Sequence, residues 1–449
     1  MVRKMVKMFL KGFQLLSHNK WDRERILEYS EKKMREIIKY AYNSSRFYEK
    51  FYAEHGIKEK DLEMIPIGEL PMIDKELVRD NFFEIMTGNI SIEDVENAIK
   101  TNELMVKIGK FILVHTSGST GKPCNFLYDE EGLDTIEANM VRISVGGKNS
   151  IELKDFPVKV LYIAAVGSGY AATTLAMSGI KKYKAKSIVV DIKEPIDTWK
   201  VKIESFKPVY VAGYPSCVKI LADMKEKGEI DIKPKKVITG GEPLNKEVKE
   251  YLVSVFDADI IDYYGCTESI FLGMGSSWYE GMYLMDDMNY VEVDELGRLI
   301  ITPLYNKAFP LIRYRLKDVV EGFDKFHKGV LPYTYIKRVV GREEEMMWFK
   351  NERGGSDFLH PLFIDDLDVQ GLKEYQFVKT SEESFVLNCV KFDDYSSDIE
   401  KQIRRQIDEF LMKKRLRNVR YEIRFLKELQ IDKNTGKAKM VIDYTKDKR

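Results

Sequence analysis

Cysteine is scarce and scattered in this chain. Of 449 residues only four are cysteine, Cys124, Cys217, Cys266 and Cys389, and no two form a CxxC pair. Five histidines are equally dispersed, which argues against a zinc site and for free thiols in a reducing, cytoplasmic setting. An excess of either charge is lacking too. Lys plus Arg number 72 and Asp plus Glu 72, so nothing advertises nucleic acid or an anionic membrane as a partner. No stretch approaches the ~20 consecutive apolar residues of a membrane span. The opening MVRKMVKMFLKGFQLL is interrupted by Lys4, Lys7 and Lys11, leaving no unbroken apolar run of ~7–15 residues for a signal peptide. It reads as a basic amphipathic helix that either touches a membrane surface or packs its Leu, Met and Phe side on the protein. Internal repeats and low-complexity tracts are absent.

What is present suffices for a sizeable core: 44% hydrophobic, 12% aromatic and 32% charged residues, in a length that calls for two or three domains. Apolar residues at helical spacing predict a helix from about Trp21 to Gly56, and Asp74 is placed to cap a short helix in LPMIDKELVRDNFF. From there strand and helix signals alternate. FILVHTSGSTGKP is an apolar run ending in a Gly/Ser/Thr loop, and VKVLYIAAVGSGYAATTLAMSG is a strand, a glycine turn and a small-residue helix. SIVVD, PVYVAGYPS, KKVITGGEP and ADIIDYYGCTES are further short strands, each ending in a turn. This pattern predicts an α/β layered core with ligands beyond the carboxyl ends of the strands. After about residue 285 the text turns β-rich, and the last hundred residues read as a hairpin, an amphipathic helix and a returning strand. The boundary between the two parts falls near VVGREEEMMW.

HTSGSTGKP resembles a phosphate loop but fails the Walker rule twice, at Thr116 and at Pro123. The remaining residues Thr116, Ser117, Gly118, Ser119, Thr120, Gly121 and Lys122 offer N–H, O–H and ammonium donors suited to phosphate oxygens. A polar hairpin turn would also explain them. Glu268 follows a strand end, where a carboxylate suits magnesium or caps a helix. Asp318 is expected at the end of a strand, facing ribose hydroxyls or a surface ion pair. Arg342 is able to reach a phosphate or ribose at the domain junction and Lys437 falls in a turn near the C-terminus, or both are solvated charges.

Taken in order, these segments closely resemble the adenylate-forming superfamily of acyl-CoA synthetases, luciferases and adenylation domains. Within it they are most similar to the phenylacetate–CoA ligase-like and capsule-synthesis-protein-like branch. The resemblance rests on YNSSRFYEKFYAEHGI, LPMIDKELVRDNF, TSGSTGKP, GYPS, GGEPL, YGCTE and IRYRLKD. It implies a large N-terminal domain, residues 1–341, of layered sheets and helices with a β-rich subdomain, and a small mobile α+β C-terminal domain, residues 342–449. It also implies that a carboxylate attacks the α-phosphate of ATP to give an acyl-adenylate. A thiol of coenzyme A or of a carrier-protein phosphopantetheine then takes the acyl group, with an amine as a third acceptor.

On that resemblance Thr116 to Lys122 hold the β- and γ-phosphates, Glu268 holds Mg2+ and Thr267 touches the α-phosphate. Gly240, Gly241, Glu242 and Pro243 line the adenine slot with Tyr263 and Tyr264, Asp318 grips the ribose, and Lys437 is the late catalytic lysine. Tyr170, Ala171, Tyr214 and Pro215, with Tyr264 and Phe271, are expected to wall the acyl pocket. Small residues beside aromatics suit an aryl acid such as phenylacetate, and a medium aliphatic acid fits the same text. Three departures stand out: Glu343, Glu344 and Glu345 where the hinge usually has aspartate, Lys317 where glycine usually precedes the ribose aspartate, and a Gly-Lys without its usual preceding proline and arginine. The last makes Lys439 a rival of Lys437. A carrier protein and a second copy of the chain remain candidate partners. A non-catalytic nucleotide-binding scaffold is the alternative of a different class.

Overall fold

The computed structural model describes residues 2–101, 103–116, 124–166, 170–339, 347–359, 367, 369, 371–392, 398–429, 441–443 and 445. The chain opens on α1 (Val2–His18), α2 (Arg23–Ser44) and α3 (Arg46–Glu54). Periodicity predicts a single helix where the last two stand. The structure divides it at Ser45, whose extended backbone ends the ladder and whose hydroxyl donates to the Glu84 carbonyl at 2.9 Å. Ile37 and Ile38 from one helix, and Tyr48 and Tyr52 from the other, enter the larger hydrophobic core. Three short helices follow, α4 (Lys75–Asp80), α5 (Phe82–Ile85) and α6 (Ile92–Ile99). Asp74 caps α4 by accepting the Leu77 N–H at 3.0 Å, as its sequence context predicts.

The antiparallel strands β1 (Val106–Ile108), β2 (Phe111–His115) and β3 (Asn125–Asp129) lead into α7 (Glu130–Val145). The α/β core then runs β4 (Lys159–Ala164), α8 (Ala171–Lys182), β5 (Lys186–Asp191), α9 (Asp197–Ile203), β6 (Tyr210–Gly213), α10 (Pro215–Glu226), β7 (Lys236–Gly240), α11 (Lys246–Phe256) and β8 (Asp259–Tyr264). In space the strands lie β5-β4-β6-β7-β8, all parallel. A helical crossover after each strand leaves the loops at the carboxyl ends free for ligands.

The chain continues through β9 (Gly273–Ser276), β10 (Tyr279–Leu284), β11 (Asn289–Val293), β12 (Arg298–Pro303), β13 (Tyr314–Glu321), β14 (Thr334–Ile336) and β15 (Arg338–Val339). β9, β10 and β14 extend the parallel sheet to eight strands in antiparallel sense, and β11, β12, β13 and β15 form a separate four-stranded sheet. This second sheet is the expected β-rich part.

The C-terminal part consists of a hairpin, β16 (Met347–Lys350) and β17 (Ser356–Leu359), then β18 (Leu372–Ser381), β19 (Ser384–Lys391), α12 (Ile399–Lys413), β20 (Arg420–Phe425) and β21 (Val441–Asp443). Its four-stranded sheet has the order β20-β19-β18-β21. α12 covers it with Ile399, Ile403, Ile407 and Leu411, one turn apart as an amphipathic helix requires. The expected boundary at 341/342 lies outside the described residues. This part is seated on the segment between β5 and α9. Lys414 meets Asp357 at 2.7 Å and donates to the carbonyls of Ile192 and Glu194, and the Ile196 N–H donates to Asp357 at 3.2 Å.

Helix α1 lies along α7, so close that any side chain at Gly12 would run into Val141. Its last residue, His18, sits 2.8 Å from the Asp287 carboxylate, which also accepts from Arg142 at 2.6 Å. Burial alone would raise the Asp287 carboxyl, but Arg142 and His18 hold it below its ordinary range. Among the described residues no helix is long and apolar enough to cross a membrane.

Candidate active site

A cavity of about 2420 Å³ opens at the carboxyl ends of the parallel strands and reaches the β13 side of the second sheet. The hairpin β2–β3 stands at its edge. Thr116 donates its N–H to the Cys124 carbonyl at 3.0 Å, and its hydroxyl accepts the Cys124 N–H at 2.9 Å. These bonds pin together the two ends of segment 117–123, so the glycine- and serine-rich stretch joins antiparallel strands. The expected donors Ser117 to Lys122 lie outside the described residues, as do Arg342, the glutamates 343–345, Lys437 and Lys439.

Gly240 and Gly241 end β7 and line the cavity. A side chain at Gly240 would strike the Tyr263 carbonyl at 2.8 Å. Gly241 has φ of +83° and lies against the Tyr214 ring, so glycine is needed twice over. Glu242 also lines the cavity, and its carboxylate accepts the Ser216 N–H at the start of α10. There it compensates the orphan donors of the helix and fixes the loop. Pro243, Tyr263 and Tyr264 line the cavity as well.

After β8 the chain folds back sharply. The Cys266 N–H bonds the Ser269 carbonyl at 3.1 Å, and Tyr128 donates to the Thr267 carbonyl at 2.9 Å. This turn presents Thr267 and Glu268 to the cavity. Glu268 caps no helix; it is 8% exposed and accepts the Tyr314 hydroxyl at 2.9 Å. Burial and the Glu268 charge raise the Tyr314 phenol, so the bond is phenol to carboxylate.

Asp318 corrects a sequence expectation. It lies inside β13, not at its end, because Val319 and Val320 continue the ladder toward β15. Alternation turns Asp318 inward and leaves Lys317 outward. Its carboxylate accepts the Tyr264 hydroxyl at 2.8 Å.

Tyr170, Ala171 and Tyr214 line the same cavity; Tyr170 rests edge-on against His115 with ring centres 5.7 Å apart. Two expected wall residues do not reach it. Pro215 is buried as the first residue of α10, and Phe271 is buried behind Tyr263 at 4.9 Å between ring centres. Sequence reasoning also missed charged liners, Lys75, Arg79 and Asp262 among them. Lys75 and Arg79 project from α4, whose segment was read only for its cap, and Asp262 sits beside Thr239 in a strand text that is otherwise apolar. Burial pushes the Asp262 carboxyl up to about 7, with Lys249 pulling it back. The thiols are bystanders: burial raises Cys217 and Cys266, and pushes Cys124 and Cys389 up to about 12.

The cleft at the strand ends, with the β2–β3 hairpin at its edge, thus holds two separately anchored carboxylates, Glu268 and Asp318. Residues 109–301 match the model of the AMP-binding enzymes. The chain is 25% identical over 342 residues to a phenylacetate-coenzyme A ligase of Pseudomonas putida, covering 70% of each chain. It is 21% identical over 354 residues to protein CapK of Staphylococcus aureus, covering 72% of this chain and 69% of the relative. Among solved structures, a 2-hydroxyisobutyryl-CoA ligase in complex with 2-HIB-AMP and CoA in the thioesterification state shares the fold. That likeness has a TM-score of 0.60 at 19% identity over 95% of this chain and 91% of the other. Over residues 109–301 the chain is therefore similar to the AMP-binding enzymes, and over about 70% of its length to phenylacetate–CoA ligase and CapK, a likeness that supports the adenylate-forming superfamily and its phenylacetate–CoA ligase-like branch.

Proposed function

We propose that this chain is an ATP-dependent acid–thiol ligase that converts a carboxylate to an acyl-adenylate and passes the acyl group to coenzyme A. The observation that carries the reading is the convergence of Thr116, the Gly240–Pro243 loop, Glu268 and Asp318 on one cavity, although they come from four separate segments. The nucleotide base would lie on the Gly240–Gly241 backbone, with Asp262 placed to accept from an exocyclic amine. Asp318 would take the ribose hydroxyls, its orientation fixed by Tyr264.

The chemical difficulty is charge, since one anion must approach another. Glu268 suits magnesium: it is a single anchored carboxylate beside the Thr267 hydroxyl, and phosphate oxygens and water can supply the other positions. Among the described residues no cluster of three or more ligating side chains offers a rival protein site. When bound there, the metal supplies positive charge at the phosphates. Ser117 to Lys122, Arg342 and Lys437 complete the proposal on resemblance. So does the division at 341/342, with residues 342–449 acting as a lid that brings Lys437 to the cleft. Phenylacetate is the first acid to test, because Tyr170, Ala171 and Tyr214 make the near end of the acyl pocket small and aromatic.

The test is pyrophosphate release over a panel of aryl, fatty and amino acids, with and without coenzyme A. Acid-dependent release with thioester formation is expected. ATP binding without any acid-dependent release would turn the reading to a non-catalytic scaffold, and release with transfer only to a carrier protein or amine would change the acceptor.

A further inference from the structure

The cavity does not stop at the small aromatic pocket. On β4 and just before it, every second residue lines it, Val158, Val160, Tyr162 and Ala164, whereas Leu161 and Ile163 are fully buried and do not. Six residue steps at ~3.3 Å make this floor ~20 Å long. It starts beside Tyr170 at the nucleotide end and finishes at the amino end of β4.

Two helices wall the floor with matching stripes. α8 contributes Leu175, Ala176, Gly179 and Ile180, and α7 contributes Met140, Val141 and Ser144, each set at helical spacing. Small residues keep the passage open: a side chain added at Gly179 would meet nothing within 4 Å among the described residues. Some polar groups along the way are paired, although the buried Tyr162 hydroxyl has no hydrogen-bond partner among the described residues. Ser144 and Tyr210 share a hydrogen bond of 2.5 Å, and the Glu137 carboxylate lies 3.0 Å from Lys182. At the far end α1 brings Phe9 and Phe13 to the wall, and the segment after α7 brings Leu153 and Phe156. Phe13, Leu153 and Phe156 are 53%, 91% and 44% exposed, so the passage opens to solvent through an apolar rim.

We infer that this passage between α7, α8 and β4 is an acyl corridor, and that the preferred substrate is a carboxylic acid with a long unbranched hydrocarbon chain. The carboxylate lies at the nucleotide end and the chain tail at the Phe13 rim. The inference rests on the proposed ligase activity for its chemistry but not for its binding. An extended chain buries apolar surface along the whole floor, and each additional methylene adds to that burial. A phenylacetyl group fills only the first part.

Two measurements test it. In acid-dependent AMP formation, kcat/KM is expected to rise at least 100-fold from hexanoate to dodecanoate, with phenylacetate resembling hexanoate. A maximum at phenylacetate or hexanoate with falling values for longer acids would overturn the inference. Binding of the fluorescent long-chain acid cis-parinaric acid needs no turnover and is expected to be competed by dodecanoate but not by phenylacetate. No binding would also overturn it. Gly179→Leu and Ala176→Phe should each lower the dodecanoate-to-hexanoate ratio of kcat/KM, or the affinity for cis-parinaric acid, at least tenfold. An unchanged ratio and affinity in both would sink the corridor. If cis-parinaric acid binds and these variants expel it while no acid supports turnover, the corridor stands and the ligase reading fails.

Discussion

The hydroxyl of Tyr264, at the end of β8, donates to the carboxylate of Asp318, inside β13, across 2.8 Å. The bond ties the eight-stranded sheet to the four-stranded one at the point where a ribose is expected. A hydrogen bond to a charged group contributes about 1.5–3 kcal/mol. Tyr264→Phe should therefore raise KM for ATP roughly tenfold or more, and Asp318→Asn should in addition narrow the preference for ATP over 2′-deoxy-ATP. Unaltered nucleotide discrimination in Asp318→Asn would take the ribose away from this residue.

Asp262 makes stability depend on pH in a definite direction. Its carboxyl holds a proton up to about 7 in the folded chain, against an ordinary 3.8. The unfolded chain releases that proton first as pH rises, so stability falls from pH 3.8 toward 7 and then levels off. Asp262→Asn removes the penalty. Its melting temperature should exceed that of the unaltered protein by about 2 °C more at pH 8 than at pH 5, read by differential scanning fluorimetry without nucleotide. Equal differences at both pH values would contradict the assignment.

Lys414 and Asp357 are both 1% exposed at a separation of 2.7 Å. Burial lowers the lysine and raises the aspartate, each toward its neutral form, and their mutual attraction opposes it. Removing one partner strands the other, which costs about 3–5 kcal/mol. Lys414→Ala should show that loss in urea unfolding, and Lys414→Met with Asp357→Leu should recover most of it. A double variant as unstable as the single one would mean that the bonds to Ile192 and Glu194, not the ion pair, hold the C-terminal part in place.

On resemblance, Lys437→Ala should nearly abolish adenylation while ATP affinity changes little, and Lys439→Ala should not. Pyrophosphate exchange decides between the two lysines: exchange that survives Lys437→Ala and disappears with Lys439→Ala reverses their roles.

The strands and their terminal loops were legible because each short apolar run ends in a Gly, Ser or Pro turn, and the Asp74 cap was legible because it is local. The break at Ser45 was not: its hydroxyl bonds Glu84, far along the chain, and nothing in the local periodicity announces it. Asp318 was misplaced because the charges of RLKD look like the end of a strand, whereas pairing with β15 carries the strand onward. Glu242 lines the cavity, and its second task, accepting the Ser216 N–H at the start of α10, was hidden because it joins two separate segments. Asp262, Lys75 and Arg79 escaped notice because single charges become liners only when distant segments meet.

Strand β4 uses both of its faces. Val160, Tyr162 and Ala164 look into the passage, while Leu161 and Ile163 pack into the core beside α9 and α10. An insertion or deletion of one residue in this strand would exchange the two sets, breaking core and passage together. On the inferred corridor, chain-length preference therefore has little freedom to change through the sheet. It can be rewritten cheaply on α7 and α8, where one residue reshapes the passage and leaves the strand order untouched.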